Sequence, residues 1–313
     1  MQLSVIICCH NPRVDYLARV LEALKAQTLS TDNWELLVVD NASDEALAGW
    51  CDISWHPKAR HIQEHQLGLT AARLCGIRES LGDLCVFVDD DNVLAKNYLK
   101  TALDLAHEYP KIGAFGGNIS GEFELLPEQW VRPYLGYLAI REVSKDLWSN
   151  DPNHWQAMPC GAGMVIRSNV AAKYADEARN DPLKLALGRI GNTLSSCDDS
   201  DLVMTAVSLD YGFGVFSSLK LDHLIPATRL TEEYLLRLVR SLHVSGGTLH
   251  FIRTGQLTPL QRSFRSIARH LYSRLTMDRR SWKFYRAARD GEREGHLLAK
   301  RLRQVRNSER EGV

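Results

Sequence analysis

A short acidic run at the end of an apolar segment constrains this chain more than any other feature. Val86–Val88 lead directly into Asp89–Asp91. Adjacent carboxylates repel one another, and a carboxylate near a low-dielectric interior ionises reluctantly unless a cation pairs with it. The run therefore predicts a buried strand whose carboxyl end has a metal- or phosphate-linked role. The alternative is a solvated acidic turn in which Asp91 or Asn92 caps a helix.

Two earlier segments have the same organisation. Leu3–Cys9 and Trp34–Val39 are largely apolar runs typical of strands buried on both faces, and the second stops at Asp40. Apolar residues at helical spacing predict helices at residues 14–24, 70–81 and 96–107. Strands that alternate with helices indicate a parallel sheet with right-handed crossovers, and such sheets bind ligands at the carboxyl ends of their strands. Asp40 and Asp89–Asp91 fall at that edge.

The pattern changes beyond Ile112. Residues 112–123 are Gly-rich with strand-like pieces, and residues 124–160 carry three Trp and four Pro residues. The latter predict loops and short helices over the sheet, a suitable place for a second substrate. Strand patterns return at residues 161–168 and 212–226, and Thr231 is a predicted cap for the helix that follows.

A second acidic cluster precedes an apolar helical pattern at residues 202–209. Its members are Asp198, Asp199 and Asp201. Capping and the helix dipole favour carboxylates at the start of a helix. These effects account well for a single carboxylate but poorly for all three. A partly desolvated carboxylate here could instead serve as a general base. Spacing alone leaves both interpretations open.

Charge is distributed unevenly along the chain. The 313 residues suffice for one large α/β domain with an appendage, or for two modest domains. Formal net charge is zero, so there is no electrostatic reason to expect a nucleic acid partner. Residues 262–313, however, hold 15 Lys/Arg against 6 Asp/Glu. An apolar stripe in this basic tail either packs on the domain or lies on an anionic membrane surface; it consists of Phe264, Ile267, Leu271 and Leu275.

Cysteine usage and hydropathy indicate the compartment. Seven cysteines form no CxxC pair and several lie in apolar runs, which favours a reduced, cytoplasmic protein. No segment approaches the roughly 18 apolar residues of a membrane span. The first residues, MQLSVIICCHNP, lack the basic region of a signal peptide. We therefore expect a cytoplasmic chain, with contact at the inner face of the membrane if the tail binds lipid.

Six short segments follow one another in an order that carries a family resemblance. They are SVIICCHNP, LLVVDNAS, LGLTAARLCGIRES, VFVDDDN, GAGMVIRS and DDSDL. Together they resemble the pattern of glycosyltransferase family 2. The resemblance implies a GT-A fold over residues 1–225, which is an α/β fold with a Rossmann-like mixed, mainly parallel sheet flanked by helices. Residues 226–313 would then form a basic, helical C-terminal extension.

The family's chemistry follows from the same resemblance. It implies an inverting enzyme that uses Mn²⁺ or Mg²⁺ to move a sugar from a nucleoside-diphosphate sugar, with UDP favoured. The acceptor would be a hydroxyl of a sugar, a glycolipid or another molecule. The Gln-x-x-Arg-Trp motif and the membrane helices of processive synthases are absent from the sequence. We therefore expect a non-processive enzyme of cell-surface polysaccharide or glycoconjugate synthesis.

The resemblance also assigns roles to individual residues. Asp199 matches the catalytic base. Asp40 matches the carboxylate that reads the nucleoside base or ribose, and Arg73 the arginine that approaches the nucleotide. The other substrate-binding residues that it implies are His10, Asn11, Pro12, Asp89, Asp90 and Asp198. The metal ligands that it implies are Asp91, Asp89 and His223, although a lone histidine is more often a structural residue.

The chain departs from the family pattern in two places, and two rival functions stay open. Cys197-Asp198 replaces the Gly-Glu that often precedes the base, and Leu74 replaces the asparagine after the helix arginine. A sugar-phosphate nucleotidyltransferase would need a Gly-rich nucleotide loop that the segment HNPRVD does not supply. A non-catalytic sugar-nucleotide-binding protein would have lost Asp199 or the Asp89–Asp91 run.

Overall fold

The computed structural model describes residues 1–259 and 272–311, with side chains up to residue 304. The chain divides into two compact units. The first consists of Met1–Gly191 and Asp198–Ala227, and the second of Asn192–Cys197 and Thr228–Val313. The predicted boundary lay between residues 225 and 226. The grouping of residues 192–197 with the C-terminal unit was not predicted.

The first unit is built around a mixed sheet of nine strands among the described residues. They are β1 (Leu3–Cys9), β2 (Trp34–Asn41), β3 (Ala59–Glu64), β4 (Leu84–Asp89), β5 (Asn92–Leu94), β6 (Ile112–Phe123), β7 (Leu147–Ser149), β8 (Val165–Arg167) and β9 (Gly212–Ile225). Their order is β3-β2-β1-β4-β8-β6-β9-β5, and β7 also pairs with β9. The first four strands in this order are parallel, as are β6 and β9, whereas β5, β7 and β8 run antiparallel to their partners. The predicted mixed, mainly parallel α/β sheet is confirmed.

Helices cover both faces of this sheet. They are α1 (Val14–Lys25), α2 (Leu69–Glu79), α3 (Tyr98–Glu108), α4 (Ser168–Ala178), α5 (Pro182–Leu185) and α6 (Asp198–Ser208). Successive side chains of a strand point to opposite faces. Accordingly Leu3, Val5 and Ile7 pack in one core with α1 and α3, whereas Ile6 packs in the other with α2, α4 and α6. Burial on both faces explains why β1 reads as a continuous apolar run.

Several elements differ from the sequence-based expectation. β3 was not predicted because it is a half-buried edge strand and lacks an apolar run. α4, which follows β8 directly, was also missed. Residues 124–160 contain β7 in addition to a 3₁₀-helix at Arg132–Leu138. α6 begins at Asp198 rather than at residue 202, so the second acidic cluster forms its first turn.

The second unit contains two long helices, α7 (Glu232–Thr254) and α8 (Arg279–Glu311). The Thr231 side chain accepts a hydrogen bond from the backbone N–H of Tyr234 at 3.3 Å, which confirms the predicted cap. Phe264, Ile267 and Leu271 of the predicted apolar stripe lie outside the described residues, and Leu275 is exposed. No helix in the described part of the chain is long and apolar enough to cross a membrane.

We expect Gly291→Ala to destabilise the second unit because α7 and α8 meet there backbone to backbone. A Cβ at Gly291 would overlap the carbonyl oxygen of Arg240 and lie 2.8 Å from Cβ of His243. Overpacking of this kind costs about 1–3 kcal/mol. Gly246→Ala on α7 is the matched control, since no atom lies within 4 Å of its Cβ position. That control should raise stability by up to about 1 kcal/mol through helix propensity. Denaturant unfolding of both variants measures the difference, and equal effects would exclude the close contact.

Candidate functional site

The Asp40 carboxylate at the end of β2 organises the loop that follows it. Its two oxygens accept the backbone N–H groups of Ser43 and Leu47, each at 3.0 Å. The side chain is buried. Each oxygen retains acceptor capacity, because an ionised carboxylate has about four lone-pair sites.

The loops after β1 and β2 are bound to each other. The side-chain amide of Asn11 donates to Asp44 Oδ2 at 3.1 Å, and the backbone N–H of Asp44 donates to Asn11 Oδ1 at 2.8 Å. His10 Nδ1 lies 2.9 Å from the carbonyl oxygen of Asn41. Asn11 has a φ of +48°, a left-handed conformation that asparagine tolerates. Pro12 is half-buried in the same loop. The structure thus brings His10, Asn11 and Pro12 to the edge occupied by Asp40.

Asn41 is a site residue that the sequence analysis missed. Its buried amide donates to the carbonyl oxygens of Glu64 (3.2 Å) and Gln66 (2.8 Å). Its side-chain oxygen accepts the N–H of Gly68, the N-cap of α2, at 2.8 Å. Asn41 therefore fixes the start of α2 against the end of β2. The available signal was a second polar residue directly after the apolar run of β2.

The first acidic cluster lies where β4 ends and β5 begins. Asp91 Oδ2 lies 3.3 Å from His223 Nε2, and both side chains are buried. The antiparallel register of β5 and β9, which pairs Asn92 with His223, produces this contact. Asn92 Nδ2 donates to Asp91 Oδ1 at 3.0 Å and so orients the carboxylate. Asp90 is half-buried.

The Arg73 guanidinium connects the two acidic clusters. Its Nη1 donates to Asp198 Oδ2 at 2.6 Å, and its Nη2 lies 3.7 Å from Asp89 Oδ1. Arg73 and Asp198 are only 4% and 3% exposed. Burial alone would lower the pKa of Arg73, but the carboxylates of Asp198, Asp89 and Asp199 raise it above its ordinary value. Arg73 is therefore a permanently charged bridge between segments far apart in the sequence.

The Asp199 carboxylate is held at the first turn of α6. Its Oδ2 accepts the N–H of Gly161 at 2.9 Å and its Oδ1 accepts the N–H of Ser200 at 2.7 Å. Burial raises the pKa of Asp199, and the neighbouring charge of Asp198 raises it further, while Arg73 opposes both. A carboxylate with a raised pKa is a stronger base, which suits removal of a proton from a hydroxyl group.

Asp201 and Cys197 lie close to Asp199 in the sequence. Asp201 is fully buried and its carboxylate lies 3.2 Å from Lys184 Nζ, so it belongs to an internal ion pair. Cys197 has a φ of +147°, a conformation that favours glycine and costs other residues about 1–3 kcal/mol. The residue that replaces the family's glycine thus keeps a glycine-like backbone.

The donor set at Asp91 and His223 fits a divalent cation. One carboxylate oxygen and one imidazole nitrogen lie side by side, and both are ligands that Mn²⁺ accepts. Asp89 is differently placed, because it lies beside Arg73. Within residues 1–259 and 272–311 no group of three or more His, Cys, Asp or Glu side chains is arranged to hold a metal ion. The Asp91 and His223 side chains thus fit two positions of a coordination sphere.

Sequence comparison identifies the family. A profile described as glycosyl transferase family 2 matches residues 4–172, which is more than half of the chain. This chain belongs to glycosyl transferase family 2. The family 2 match covers β1 from its second residue and all of β2 to β8, together with the first acidic cluster.

Curated relatives match over part of this chain. The glycosyltransferase GlyA of Streptococcus pneumoniae is 28% identical over 121 residues, which are 38% of this chain and 17% of that protein. A glucosyl-dolichyl phosphate glucuronosyltransferase of Haloferax volcanii is 24% identical over 140 residues, 42% of this chain and 44% of that protein. The matched segment is thus less than half the length of these two relatives.

Solved structures share the fold. The mannosyltransferase PcManGT of Pyrobaculum calidifontis, in complex with GDP-Man and Mn²⁺, has a TM-score of 0.56 and 17% identity over 98% of this chain and 79% of its own. S. aureus TarS 1-349 with UDP-GlcNAc has a TM-score of 0.51 and 16% identity over 100% of this chain and 92% of its own. At these identities the likeness establishes the GT-A fold.

Proposed function

We propose that this protein is a metal-dependent, inverting, non-processive glycosyltransferase that uses a nucleoside-diphosphate sugar. The observation that carries the proposal is the Arg73 bridge, which unites Asp89 and Asp198 at one edge of the sheet. Asp89, which we expect to bind the donor, therefore lies near the first turn of α6, which carries the predicted base Asp199. Membership of family 2 and the nucleotide-sugar complexes of two structural neighbours support the same conclusion.

Asp199 is the base in the proposed reaction. Its carboxylate removes the proton from the acceptor hydroxyl as that oxygen attacks the anomeric carbon. The diphosphate leaves from the opposite face, so one displacement inverts the configuration. The N–H groups of Gly161 and Ser200 hold the carboxylate in place during this step. Asp198 contacts Arg73 at 2.6 Å and keeps that side chain positioned.

Asp91 and His223 are the residues that would hold the divalent cation, with Asp89 and Asp90 beside them. When bound, Mn²⁺ or Mg²⁺ would neutralise charge that develops on the diphosphate leaving group. Asn92 keeps the Asp91 carboxylate oriented. Asp40, together with His10, Asn11 and Pro12, forms the wall against which the nucleoside lies.

The proposal extends to the nucleotide of the donor, the acceptor and the cellular compartment. UDP is favoured as the nucleotide, and TarS with UDP-GlcNAc is a neighbour consistent with this choice. The acceptor is a hydroxyl of a sugar, a glycolipid or another molecule, in cell-surface polysaccharide or glycoconjugate synthesis. The enzyme works in the cytoplasm, and the surplus of basic residues at 262–313 supports peripheral contact with anionic lipid.

Assay of the purified protein with a panel of nucleotide sugars and Mn²⁺ tests this proposal. A glycosyltransferase releases nucleoside diphosphate, and a sugar-phosphate nucleotidyltransferase produces or consumes pyrophosphate. A non-catalytic binding protein does neither, although it binds the nucleotide. Release of nucleoside diphosphate that increases with an acceptor panel is the expected result. Pyrophosphate exchange, or binding without turnover, would refute the proposed activity.

Asp91→Asn should weaken UDP binding in the presence of Mn²⁺ and cripple turnover. The substitution keeps the side-chain volume but removes the charge that would bind the cation. We expect at least about a tenfold loss of affinity, the scale of effects seen for groups that support metal sites. Asp104→Asn is the control, since this carboxylate is exposed on α3 and paired with Lys100. Equal affinity of the wild-type protein for UDP in Mn²⁺ and in EDTA, measured by calorimetry, would contradict the metal assignment.

A further inference from the structure

Arg141 ties an irregular segment of the chain to the central sheet. Its backbone exchanges two hydrogen bonds with Ile119 of β6, each of 2.9 Å. Its guanidinium donates two more, from Nη1 to the carbonyl oxygen of Met158 at 2.6 Å and from Nη2 to that of Gln156. One residue thus connects a strand of the sheet with a segment outside it.

The Arg141 side chain is half-buried, and both of its acceptors are uncharged. Burial lowers the pKa of Arg141, because a guanidinium that leaves water loses hydration. A charged group in such an environment is usually paired with an opposite charge. Here the guanidinium instead holds two carbonyl oxygens of one short segment, which points to a role in placing that segment.

Only two residues separate Met158 from Gly161, and both are restrained. Pro159 is buried, and its ring fixes φ at about −65°. Cys160 is half-buried and packs against the core that contains α1 and α3. A displacement of the Met158 carbonyl group would therefore displace Gly161 as well.

Gly161 lies between the proposed base and the Arg73 bridge. Its N–H donates to Asp199 Oδ2 at 2.9 Å. A Cβ at this position would lie 2.5 Å from Arg73 Nη2, so the backbone of Gly161 packs closely against the guanidinium. The segment after Gly161 continues into β8, whereas the segment before it is held by Arg141.

We propose that Arg141 is a positioning residue for the base, because it anchors residues 156–158 to β6 and so holds the Gly161 N–H against the Asp199 carboxylate. This inference rests on the proposed function, in which Asp199 removes the proton of the acceptor. Loss of the Gly161 contact would have two effects. The carboxylate would leave its productive position, and its pKa would rise further, because that N–H favours the charged form.

Arg141→Met and Arg141→Lys are the test variants, and Arg167→Met is the matched control. Arg167 is also half-buried, and burial also lowers its pKa. It donates to three backbone carbonyl oxygens, those of Ala106, Tyr109 and Ile112. It pairs with Leu84, the first residue of β4, at the opposite end of that strand from Asp89. Both methionine variants thus remove a half-buried guanidinium that holds backbone, and both should lower the free energy of unfolding.

Turnover of the two methionine variants should differ. Per folded molecule, Arg141→Met should lower kcat about 10- to 100-fold, the scale expected when a catalytic group is misplaced by about 1 Å. The donor dissociation constant should stay unchanged, because Arg141 acts on the base alone. Arg141→Lys should retain part of the rate, since an ammonium group can donate to a carbonyl oxygen but lacks the planar fork of a guanidinium. Arg167→Met should match the wild type in both quantities.

The pH profile separates positioning from a general loss of stability. The acid limb of kcat should move to higher pH in Arg141→Met, because the pKa of Asp199 rises when the Gly161 N–H withdraws. Asp198 and Arg73, the charged groups beside Asp199, are the same in all variants. Arg167→Met should keep the wild-type profile.

Hydrogen exchange at the Gly161 amide provides a measurement that does not require activity. Exchange should be faster in Arg141→Met than in Arg167→Met, because only the first variant releases the segment that precedes Gly161. If Arg141→Met does not fold, the same comparisons are made with Arg141→Lys, for which smaller changes in the same directions are expected.

Two results would overturn the inference. A wild-type pH profile in Arg141→Met, with a fall in kcat no larger than that of Arg167→Met, would leave Arg141 with a role in stability alone. Unchanged exchange at Gly161 would show that the guanidinium does not hold this amide in place. Near-normal transfer by Asp199→Asn would instead refute the proposed base, a distinct result because it is seen without any change at Arg141.

Discussion

Asp199→Asn should lower the rate of sugar transfer about 10²- to 10⁴-fold, the usual cost of losing a general base. The asparagine keeps nearly the same volume and can still hydrogen-bond the acceptor, but it cannot take the proton. Donor and metal binding should barely change, because neither uses this side chain. The expected signature is a large fall in turnover at an almost constant donor dissociation constant, typical of an interaction made in the transition state.

The structure adds a stability cost to this variant. Asp199 accepts backbone hydrogen bonds from both Gly161 and Ser200 with different oxygens. An asparagine offers only one oxygen, so one of these N–H groups would lose its acceptor, at a cost of about 1–3 kcal/mol. Rates must therefore be compared per folded molecule, with the folded fraction measured by circular dichroism. A folded Asp199→Asn protein with near-normal transfer would move the base elsewhere.

Asp201→Asn provides the control for position and charge. It removes a carboxylate from the same first turn of α6, but that carboxylate is committed to Lys184. Its effect should fall on stability rather than on turnover.

The pH dependence of turnover gives a separate test of Asp199. Burial raises the pKa of Asp199, and only its ionised form accepts a proton. Turnover of the wild type should therefore fall as the pH drops through a pKa above 3.8, the ordinary value for aspartate.

Arg73→Met should lower the free energy of unfolding by about 3–5 kcal/mol at neutral pH, as expected when one member of a buried ion pair is removed. The methionine fills much of the space but leaves the buried Asp198 carboxylate without its partner, and removes the charge beside Asp89. Combining Arg73→Met with Asp198→Leu should recover much of the loss, because no unpaired buried charge remains from this pair.

Arg78→Met on the same helix is the matched control. Arg78 is exposed and pairs with Glu79 at 3.3 Å, so its removal should cost no more than about 1 kcal/mol. Denaturant unfolding measures both variants. Equal losses of unfolding free energy for Arg73→Met and Arg78→Met would show that the Arg73 bridge is not buried in solution.

The loss caused by Arg73→Met should also depend on pH. Burial raises the pKa of Asp89, and loss of Arg73 would raise it further. The loss of unfolding free energy should therefore shrink as the pH falls and Asp89 takes up a proton.

The sequence by itself determined the class of fold and the edge of the sheet where chemistry is expected. The apolar runs of β1, β2 and β4 predict strands buried on both faces, because such strands have no polar side to show. Asp40 and Asp89–Asp91 end two of those runs, and parallel strands bring their carboxyl ends to one edge. These inferences need only neighbouring residues and a general rule of topology. The ordered motifs then indicated the family, which the profile match confirmed.

Only the tertiary structure decided which charged groups touch. Arg73 pairs with a carboxylate 125 residues away, and His223 reaches Asp91 because β5 and β9 adopt one particular antiparallel register. Sequence spacing does not specify that register, since a shift of one residue would turn every side chain to the other face. The half-buried edge strand β3 was hidden for a related reason. Its position is set by backbone hydrogen bonds to β2, which leave no periodic mark on the local sequence.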